Sequence, residues 1–512
     1  MDTTTLGEML AASAERWGPK CALQSGPARL SYEELNADVA RLAGALAGMG
    51  VQAGDRVALL LPTCLQFPLA YLAAVRLGAV AVPVSVLLTA QEIGQILADC
   101  TPRLLVTTTA LPGIAERLSA LAHAVDHVVV SGPSPVEGTH SFENIVQTAK
   151  PIDTASRAEP DDIAAIMYTS GTTGVPKGAM LSHHNVLCNA AACAEMIQVS
   201  EQDHFLCVLP LFHSFGATVC MLLPLLIGAT ITMMPRFAAL DVLRTMAREG
   251  ITVFAGVPSM YAVMLGVRSD ESFDLSRLRL CVSGGAPLPM EVMDGVTRRY
   301  PATLLEGYGP TEASPVVSVN PYDGVRKPGS VGLPLPGVAV KIVGESGTAL
   351  PTGEIGEILV RGENVMQGYY QRPEDTAETV RDGWLYTGDM GRVDEDGYLY
   401  IMGRKKDLII VGGMNVYPRE VEAVLHGHPA VAEAAVVGAS GSLRGEQVVA
   451  FVVPEEGCGA SAEQLIELCS GALAKFKVPR RIVFVDQLPR SGTGKVLKSQ
   501  LRSVADSGTQ QA

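Results

Sequence analysis

The sequence predicts a layered α/β protein, in which a large N-terminal domain of α/β subdomains and a small β-rich lobe precede a small α+β domain. Its 512 residues exceed what one hydrophobic core usually serves. Aromatic residues make up only 5% of the chain, while Ala, Val, Leu and Gly are abundant. From Asp55 onward, apolar strand candidates alternate with amphipathic helix candidates, which is typical of βαβ units around a largely parallel sheet.

The first alternating block contains three strand candidates and two helix candidates. The strands are expected at residues 57–61, 79–84 and 104–107, and the helices at 65–77 and 91–98. A second α/β block is expected over roughly residues 161–319, because the same alternation resumes there.

The later part of the chain changes character twice. Residues 329–402 are rich in Gly, Pro and short β-prone runs such as 357–360, which predicts a small and more antiparallel lobe. Beyond it we expect helices at 418–425 and 462–473 and strands at 431–437 and 448–453. These elements predict an N-terminal domain at 1–403 and a C-terminal domain at 404–512.

Charge and cysteine usage exclude several classes of function. The net charge of −14 argues against a nucleic-acid partner. The ten cysteines form no C-x-x-C pair. Cys188 and Cys193 lie in a stretch that reads as an amphipathic helix, where packed, reduced thiols are favoured over metal ligands.

No targeting or membrane-spanning segment is expected. Residues 1–11 lack the basic start of a secretory signal. Residues 216–234 carry no charge, but Pro224 and Gly228 interrupt them, so a buried helix, a turn and a buried strand fit better than a membrane span. We expect a cytoplasmic protein with a disordered end at 507–512. Peripheral membrane contact and a homodimer stay open.

A glycine- and hydroxyl-rich loop after an apolar run is the most informative motif. Small residues let backbone N–H groups approach an anion, and hydroxyls and a lysine add donors, so the loop is suited to phosphate. Its spacing is not that of a Walker A loop, and a surface loop without a ligand is the alternative. The candidate phosphate-binding residues are Thr169, Ser170, Gly171, Thr172, Thr173, Gly174 and Lys177.

Four further motifs follow this loop along the chain. They are Glu306-Gly307-Tyr308-Gly309-Pro310-Thr311-Glu312, Tyr386-Thr387-Gly388-Asp389, Gly403-Arg404-Lys405-Lys406-Asp407 and Pro489-Arg490-Ser491-Gly492-Thr493-Gly494-Lys495. The five motifs, in this order, resemble those of the acyl-adenylate-forming (AMP-binding) enzymes, and in particular those of bacterial medium- and long-chain fatty acyl-CoA synthetases. The resemblance covers essentially the whole chain.

The resemblance implies an ATP and magnesium site. Residues 169–177 would hold the β- and γ-phosphates, and Glu312 would bind Mg²⁺ together with the Thr169 hydroxyl. Asp389 would accept from the ribose hydroxyls, and Arg404 would donate to the sugar or the α-phosphate, a structural ion pair being the alternative for each. Adenine is expected between Tyr308 and the strip Gly284-Gly285-Ala286-Pro287.

The resemblance also implies two half-reactions in one site. Lys495 would act during adenylation, and the C-terminal domain would then swing about a hinge at Lys406. This motion would bring Gly412 and Gly413 toward coenzyme A, the second acceptor.

The acyl site is the least defined part of the sequence. His213 resembles a family histidine near the acyl tunnel. The alternative, that His213 is an ordinary packed residue of the core, is equally favoured. Phe212, Phe215 and the apolar residues after Gly216 are candidates for lining the pocket. The resemblance adds Thr311 to the catalytic residues, and Gly284 and Gly309 to the substrate contacts.

The sequence thus predicts an ATP-dependent acyl-CoA synthetase that passes through an acyl-adenylate. A medium- or long-chain fatty acid is the leading substrate. Aryl acids and dicarboxylic acids remain open, as does a ligase that loads a separate carrier protein. A degenerate ligase that only binds nucleotide or acyl groups is the non-enzymatic alternative, and the intact Glu312, Asp389, Arg404 and Lys495 argue against it.

Overall fold

The computed structural model describes residues 4–114, 121, 124–133, 136–152, 154, 157–169, 176–440, 446–455, 457–490 and 496–507. The chain divides into two compact units. The first contains Met1–Val340 and Val360–Tyr386, and the second contains Lys341–Leu359 and Thr387–Ala512. Lys406 therefore lies within the second unit, and the domain boundary expected after residue 403 stays a prediction.

Most α-helices of the described residues alternate with strands along the chain. They are α1 (Leu6–Trp17), α2 (Tyr32–Gly48), α3 (Gln66–Arg76), α4 (Ala90–Cys100), α5 (Phe142–Thr148), α6 (His183–Ile197), α7 (Ser214–Ala217), α8 (Leu223–Ile227), α9 (Ala239–Glu249), α10 (Pro258–Leu265), α11 (Met290–Arg299), α12 (Pro373–Thr379), α13 (Pro418–His426), α14 (Ala462–Ala472) and α15 (Lys498–Ser507).

The strands are short, and most of those in the parallel arrays are buried. They are β1 (Cys21–Ser25), β2 (Ala28–Ser31), β3 (Arg56–Leu59), β4 (Val80–Pro83), β5 (Leu104–Thr108), β6 (His127–Ser131), β7 (His140–Ser141), β8 (Ile163–Thr169), β9 (Lys177–Ser182), β10 (His204–Cys207), β11 (Thr230–Met233), β12 (Val253–Gly256), β13 (Leu280–Ser283), β14 (Thr303–Tyr308), β15 (Ser318–Val319), β16 (Leu333–Pro334), β17 (Ala339–Val343), β18 (Gly356–Arg361), β19 (Gly368–Tyr369), β20 (Val380–Arg381), β21 (Trp384–Val393), β22 (Leu399–Arg404), β23 (Ile409–Val411), β24 (Met414–Val416), β25 (Val431–Ser440), β26 (Glu446–Pro454) and β27 (Arg481–Phe484).

Two large sheets organise the first unit. One has the order β19-β9-β8-β4-β3-β5-β6-β7, and the other has the order β16-β15-β14-β13-β12-β10-β11-β1-β2. Strands β3 to β6 and β10 to β14 pair in parallel, with helices in the connections. Both predicted α/β blocks are therefore confirmed. Strands that lie between two layers of helices are buried on both faces, which explains the apolar runs in the sequence.

Local sequence signals explain where the helices between these strands begin. The Thr89 hydroxyl accepts from the backbone N–H of Glu92, and the Glu92 side chain accepts from the backbone N–H of Thr89. The two bonds form a capping box at the start of α4. Ser182 caps α6 in the same way with Asn185. Such caps satisfy amide donors that the first helical turn would otherwise leave without partners.

The uncharged segment near the middle of the chain folds as the sequence predicts. It forms α7, a π-helical turn at Thr218–Leu222, α8 and then β11, with Gly228 in a left-handed conformation (φ +81°) at the helix end. Among the described residues, no helix is both long enough and apolar enough to cross a membrane.

The second unit holds a small α+β core. Strands β25, β26 and β27 form one sheet, and β23 and β24 form a hairpin. The expected antiparallel lobe is also present, since β21 pairs antiparallel with β22. Disorder was predicted for residues 507–512, and this is wrong at Ser507, which is the last residue of helix α15. Residues 508–512 lie outside the described residues.

Candidate active site

The base of the phosphate-loop candidate is an antiparallel hairpin. Strand β8 ends at Thr169 and β9 begins at Lys177, and these two residues are register partners. The Thr169 hydroxyl donates to the carbonyl oxygen of Lys177 at 3.4 Å. The loop residues between them that were predicted to bind phosphate, Ser170, Gly171, Thr172, Thr173 and Gly174, lie outside the described residues.

Lys177 contacts two side chains of the first unit that come much later in the sequence. Its ammonium group forms an ion pair with Asp375 in α12. The same group lies 5.4 Å from the centroid of the Tyr369 ring, within the range of a cation–π contact. Strand β19 pairs with β9, and this pairing carries Tyr369 to the hairpin.

Tyr369 also reaches the predicted magnesium ligand. Its hydroxyl donates to Oε1 of Glu312 at 2.7 Å. The backbone of Glu312 is fixed in turn, because its carbonyl oxygen accepts from the N–H of Met366 at 2.9 Å. Burial raises the pKa of Tyr369, and the negative charge of Glu312 raises it further, so the hydroxyl stays a donor near neutral pH.

Sequence reasoning missed Tyr369 and Asp375. Tyr369 lies 57 residues after Glu312, and Asp375 lies 198 residues after Lys177. Neither belongs to a motif that the sequence singled out. The available signal is weak, because β19 is only two residues long and is identified by its partner strand rather than by a periodicity of its own.

The segment predicted to bind adenine begins on a buried strand. Glu306 on β14 is 2% exposed, and its Oε1 accepts from the N–H of Leu288 at 3.1 Å. Tyr308 is half-buried at the strand end. Gly309 has to be a glycine here, since a Cβ would lie 1.6 Å from the carbonyl oxygen of Pro315.

The small-residue strip lies beside this segment. Ser283 on β13 pairs with Glu306 on β14, which brings the following Gly284 close to Gly307. A Cβ on Gly284 would lie 3.6 Å from the Gly307 carbonyl oxygen. Gly284 is buried, and Gly285, Ala286 and Pro287 are exposed. The structure therefore joins these two parts of the predicted adenine site.

His213 begins a helical segment that contacts the Glu312 turn. Its Nδ1 accepts from the N–H of Phe215 at 3.2 Å, which caps α7, and its side chain is half-buried. Ser214 and Thr311 share a hydroxyl hydrogen bond of 3.1 Å. Phe212 is half-buried and Phe215 is buried. The segment predicted to line the acyl site thus adjoins Thr311.

The predicted ribose residues form an ion pair within the second unit. Asp389 on β21 and Arg404 on β22 are register partners, and Arg404 Nε donates to Asp389 Oδ1 at 2.8 Å. The side chain of Asp389 is 8% exposed and that of Arg404 is 45% exposed. The backbone N–H of Asp389 donates to the Thr387 hydroxyl at 3.1 Å.

Three further predicted residues of the second unit lie in a short helix or in a turn. Lys406 is exposed in a short 3₁₀ helix, Lys405–Asp407. Gly412 and Gly413 connect β23 to β24 with φ of +59° and +81°, a conformation that glycine adopts readily. Lys495 lies outside the described residues.

Comparison with known proteins gives the class and the family. Residues 10–370 match the AMP-binding enzyme family, and residues 420–495 match the AMP-binding enzyme C-terminal domain. The chain is 37% identical over 526 residues to a long-chain-fatty-acid–CoA ligase of Bacillus subtilis (strain 168), covering 97% of this chain and 94% of that protein.

Two solved structures share the fold over nearly the whole chain. ATP-bound MatB from Rhodopseudomonas palustris is 36% identical with a TM-score of 0.90, covering 97% of this chain and 98% of that one. The anthranilate CoA ligase AuaEII, in complex with anthranoyl-AMP, is 31% identical with a TM-score of 0.92, covering 99% and 98%. Fold and motifs together define an acid–thiol ligase that works through an adenylate. The chain belongs to the AMP-binding enzyme family.

Proposed function

We propose that this ligase joins a medium- or long-chain fatty acid to coenzyme A, driven by ATP. In the first step the carboxylate attacks the α-phosphate of ATP, which gives an acyl-adenylate and releases pyrophosphate. In the second step the thiol of coenzyme A attacks the adenylate carbonyl, loses its proton to solvent and displaces AMP. Positioning and electrostatic stabilisation supply the catalysis in the first step, as in related phosphoryl displacements.

The apolar acyl group is supported above all by the segment that follows His213. Residues 215–225 carry no charge and are buried. This segment meets the Glu312 turn, since the Thr218 hydroxyl donates to the carbonyl oxygen of Ser314 at 3.1 Å. A hydrocarbon chain that packs against this segment would gain roughly 0.8 kcal/mol for each buried CH₂ group. A charged group at the far end of a substrate would be costly in the same surroundings.

An aromatic acid is the second candidate, and one contact favours it. A Cβ on Gly284 would lie 3.4 Å from two atoms of the Phe215 ring, so the ring edge faces a residue without a side chain. A flat substrate ring would gain an aromatic contact at such a position. A dicarboxylic acid is the weaker candidate, because its second carboxylate would need a buried cation.

For the phosphates, we assign Thr169, Lys177 and the loop between them. Glu312 and the Thr169 hydroxyl offer hard oxygen donors, which suit Mg²⁺, an ion that prefers oxygen ligands and keeps several waters. When bound, Mg²⁺ would offset negative charge on the phosphates. Glu312 contributes a carboxylate whose orientation is supported by the Tyr369 hydroxyl.

For the nucleoside and the reacting carbonyl, we assign roles on the resemblance and on donor chemistry. Tyr308 stacks on adenine, Asp389 accepts from the ribose hydroxyls, and Arg404 donates to the sugar or the α-phosphate. Lys495 stabilises the developing charge during adenylation as a point charge. Thr311 and His213 contact the reacting end of the acid.

For the second half-reaction, we assign the hinge to Lys406 and the coenzyme A face to Gly412 and Gly413. A single hinge allows one site to serve two different nucleophiles in turn. We also propose a cytoplasmic location. A homodimer and peripheral membrane contact stay open, and none of the three bears on the chemistry.

The decisive experiment measures AMP and pyrophosphate release over a panel of acids, each with and without coenzyme A. The panel runs from acetate to palmitate and adds benzoate, coumarate and malonate. We expect turnover that depends on coenzyme A and peaks at a medium or long saturated chain. A peak on benzoate or coumarate would replace the fatty acid with an aryl acid. Pyrophosphate formation without any thioester would point instead to a separate carrier protein as the acceptor.

A further inference from the structure

Three side chains with metal-binding atoms cluster on the first unit, and the ligase chemistry does not use them. They are His184 and Cys188 on α6 and Glu363, which follows β18. One ligand atom of each, a ring nitrogen, the thiol sulfur and a carboxylate oxygen, lies within 4.8 Å of the other two. The sequence favoured packed thiols in α6. Cys193 fits that prediction at 2% exposure, whereas Cys188 is half-buried.

The backbone brings these three side chains together. Residues four apart lie one above the other on a helix, so His184 and Cys188 share one face of α6. Glu363 is carried to that face by its own backbone, because Asn185 Nδ2 donates to the Glu363 carbonyl oxygen at 2.6 Å. The next residue, Asn364, is buried and donates to the Ala313 carbonyl oxygen at 2.8 Å. The cluster is thus held by bonds that need no metal.

The distances suit a small tetrahedral ion. Zinc binds nitrogen and oxygen at about 2.0–2.2 Å and sulfur at about 2.3 Å, which sets its ligand atoms roughly 3.3–3.8 Å apart. His184 Nε2 and Glu363 Oε2 are already 3.2 Å apart. The Glu363 side chain is 74% exposed and that of His184 is 42% exposed, so both can adjust and an ion can enter from solvent.

We propose that His184, Cys188 and Glu363 form a site for a thiophilic divalent cation of the Zn²⁺ class, with water as the fourth ligand. Nitrogen and sulfur donors favour such an ion over Mg²⁺, which prefers oxygen. Binding replaces the Cys188 S–H bond with a sulfur–metal bond and releases one proton to solvent. Without a metal, the Cys188 thiol donates to the Asn185 carbonyl oxygen, 3.2 Å from the sulfur.

The electrostatics of the cluster favour a cation. Burial raises the pKa of Cys188 to about 12, and the negative charge of Glu363 raises it further. A bound cation opposes both effects, because it attracts the carboxylate and stabilises the thiolate directly.

Calorimetric titration of the metal-free full-length chain with Zn²⁺, without nucleotide, tests the site. We expect one equivalent to bind. Cys188→Ser and Glu363→Gln should each weaken binding by about tenfold or more, because losing a ligand costs at least as much affinity as losing a group that hydrogen-bonds to a ligand. Glu363 is largely exposed, so its variant should fold even if Cys188→Ser does not. Co²⁺ provides a second readout, a near-ultraviolet thiolate charge-transfer band that Cys188→Ser should abolish.

Two control variants separate this site from other sources of zinc binding. Cys458→Ser removes an exposed thiol elsewhere, and Glu312→Gln removes the proposed Mg²⁺ ligand; neither should change the zinc affinity. Unchanged zinc affinity in Cys188→Ser or Glu363→Gln would overturn the proposal. Loss of binding in Glu312→Gln alone would do so as well, because it would assign the zinc to the nucleotide site. A chain that binds no zinc below about 100 μM, a free energy of roughly −5.5 kcal/mol, would also overturn it.

Discussion

Two carboxylates that the sequence assigns to the nucleotide are held in opposite ways in the two units. Glu312 in the first unit accepts from the neutral hydroxyl of Tyr369 at 2.7 Å. Asp389 in the second unit accepts from the charged guanidinium of Arg404 at 2.8 Å. Each carboxylate follows or lies on a β-strand, so the difference is in the partner and not in the type of element.

The partners match the ligands proposed for each carboxylate. A neutral donor orients Glu312 without compensating its charge, which leaves that charge for a cation such as Mg²⁺. A cationic donor compensates much of the charge on the nearly buried Asp389, which suits acceptance from the neutral hydroxyls of a sugar. The comparison therefore predicts that Glu312 acts through its charge and Asp389 acts through its hydrogen-bonding geometry.

The largest effect is expected for Glu312→Gln. The amide keeps the shape and can still accept from Tyr369, but it has no charge for a cation. We expect pyrophosphate formation to fall by about 10²- to 10³-fold, the range found when a catalytic site loses one preorganised electrostatic group. Urea unfolding should be nearly unchanged, since the bond to Tyr369 remains. A rate within about threefold of the parent enzyme, less than 1 kcal/mol, would contradict the proposed role of the charge.

Asp389→Asn should affect binding more than turnover. The amide keeps one acceptor oxygen but loses the charged hydrogen bond to Arg404, so the KM for ATP should rise by about 10- to 100-fold while kcat changes less. Steady-state kinetics at saturating acid and coenzyme A measure this split. Asp486→Asn, at an exposed position of the same unit, is the matched control. Equal losses in kcat and kcat/KM would show that Asp389 acts in the transition state instead.

The positions of helices and strands could be predicted from the sequence much better than the residues that hydrogen-bond to these two carboxylates. Helix α3 was expected at 65–77 and lies at Gln66–Arg76, because a local hydrophobic pattern carries that information. The same holds for β5 and for α13. The chain order of the motifs likewise follows from local residue types alone.

Contacts between distant loops could not be predicted in this way. Tyr369 meets Glu312 because the two-residue strand β19 pairs with β9, and no local pattern of so short a strand specifies its partner. The Asp389–Arg404 pair was foreseen only as the alternative to a ribose contact. Its register follows from the irregular pairing of β21 with β22, whose shift between Met390 and Gly391 has no clear sequence signal.

Acid should destabilise the first unit, because this unit buries a neutral histidine. His183 accepts from the N–H of Leu6 at 3.1 Å, and burial lowers the pKa of His183 to about 4. In the unfolded chain its pKa is about 6.5, so between these values only the unfolded state takes up the proton. His183 alone should therefore lower the free energy of unfolding as pH drops from about 6.5 to 4, by about 2 kcal/mol at pH 5.

Tryptophan fluorescence during urea unfolding measures this loss in the first unit. Both tryptophans of the chain, Trp17 and Trp384, belong to that unit. His183→Gln can still accept from Leu6 but does not titrate, so it should reduce the pH dependence. It should not abolish it, because burial also lowers the pKa of His204, in the same unit, to about 4. His140→Asn, at an exposed position, should leave it unchanged. An equal pH dependence in His183→Gln and the parent chain would assign the acid sensitivity to other groups.

The smallest and most specific effect is expected for Tyr369→Phe, which removes only the neutral donor to Glu312. Losing one hydrogen bond of about 1 kcal/mol should raise the Mg²⁺ concentration for half-maximal adenylation by about fivefold. The rate at saturating Mg²⁺ should change little, because the charge of Glu312 is kept. Tyr370→Phe is the matched control, since that hydroxyl accepts from the Gln371 side chain and does not orient Glu312. If both variants shift the Mg²⁺ dependence equally, the Tyr369 hydroxyl does not position the Glu312 carboxylate. The difference between Glu312 and Asp389 would then lie only in whether a charged group compensates the carboxylate.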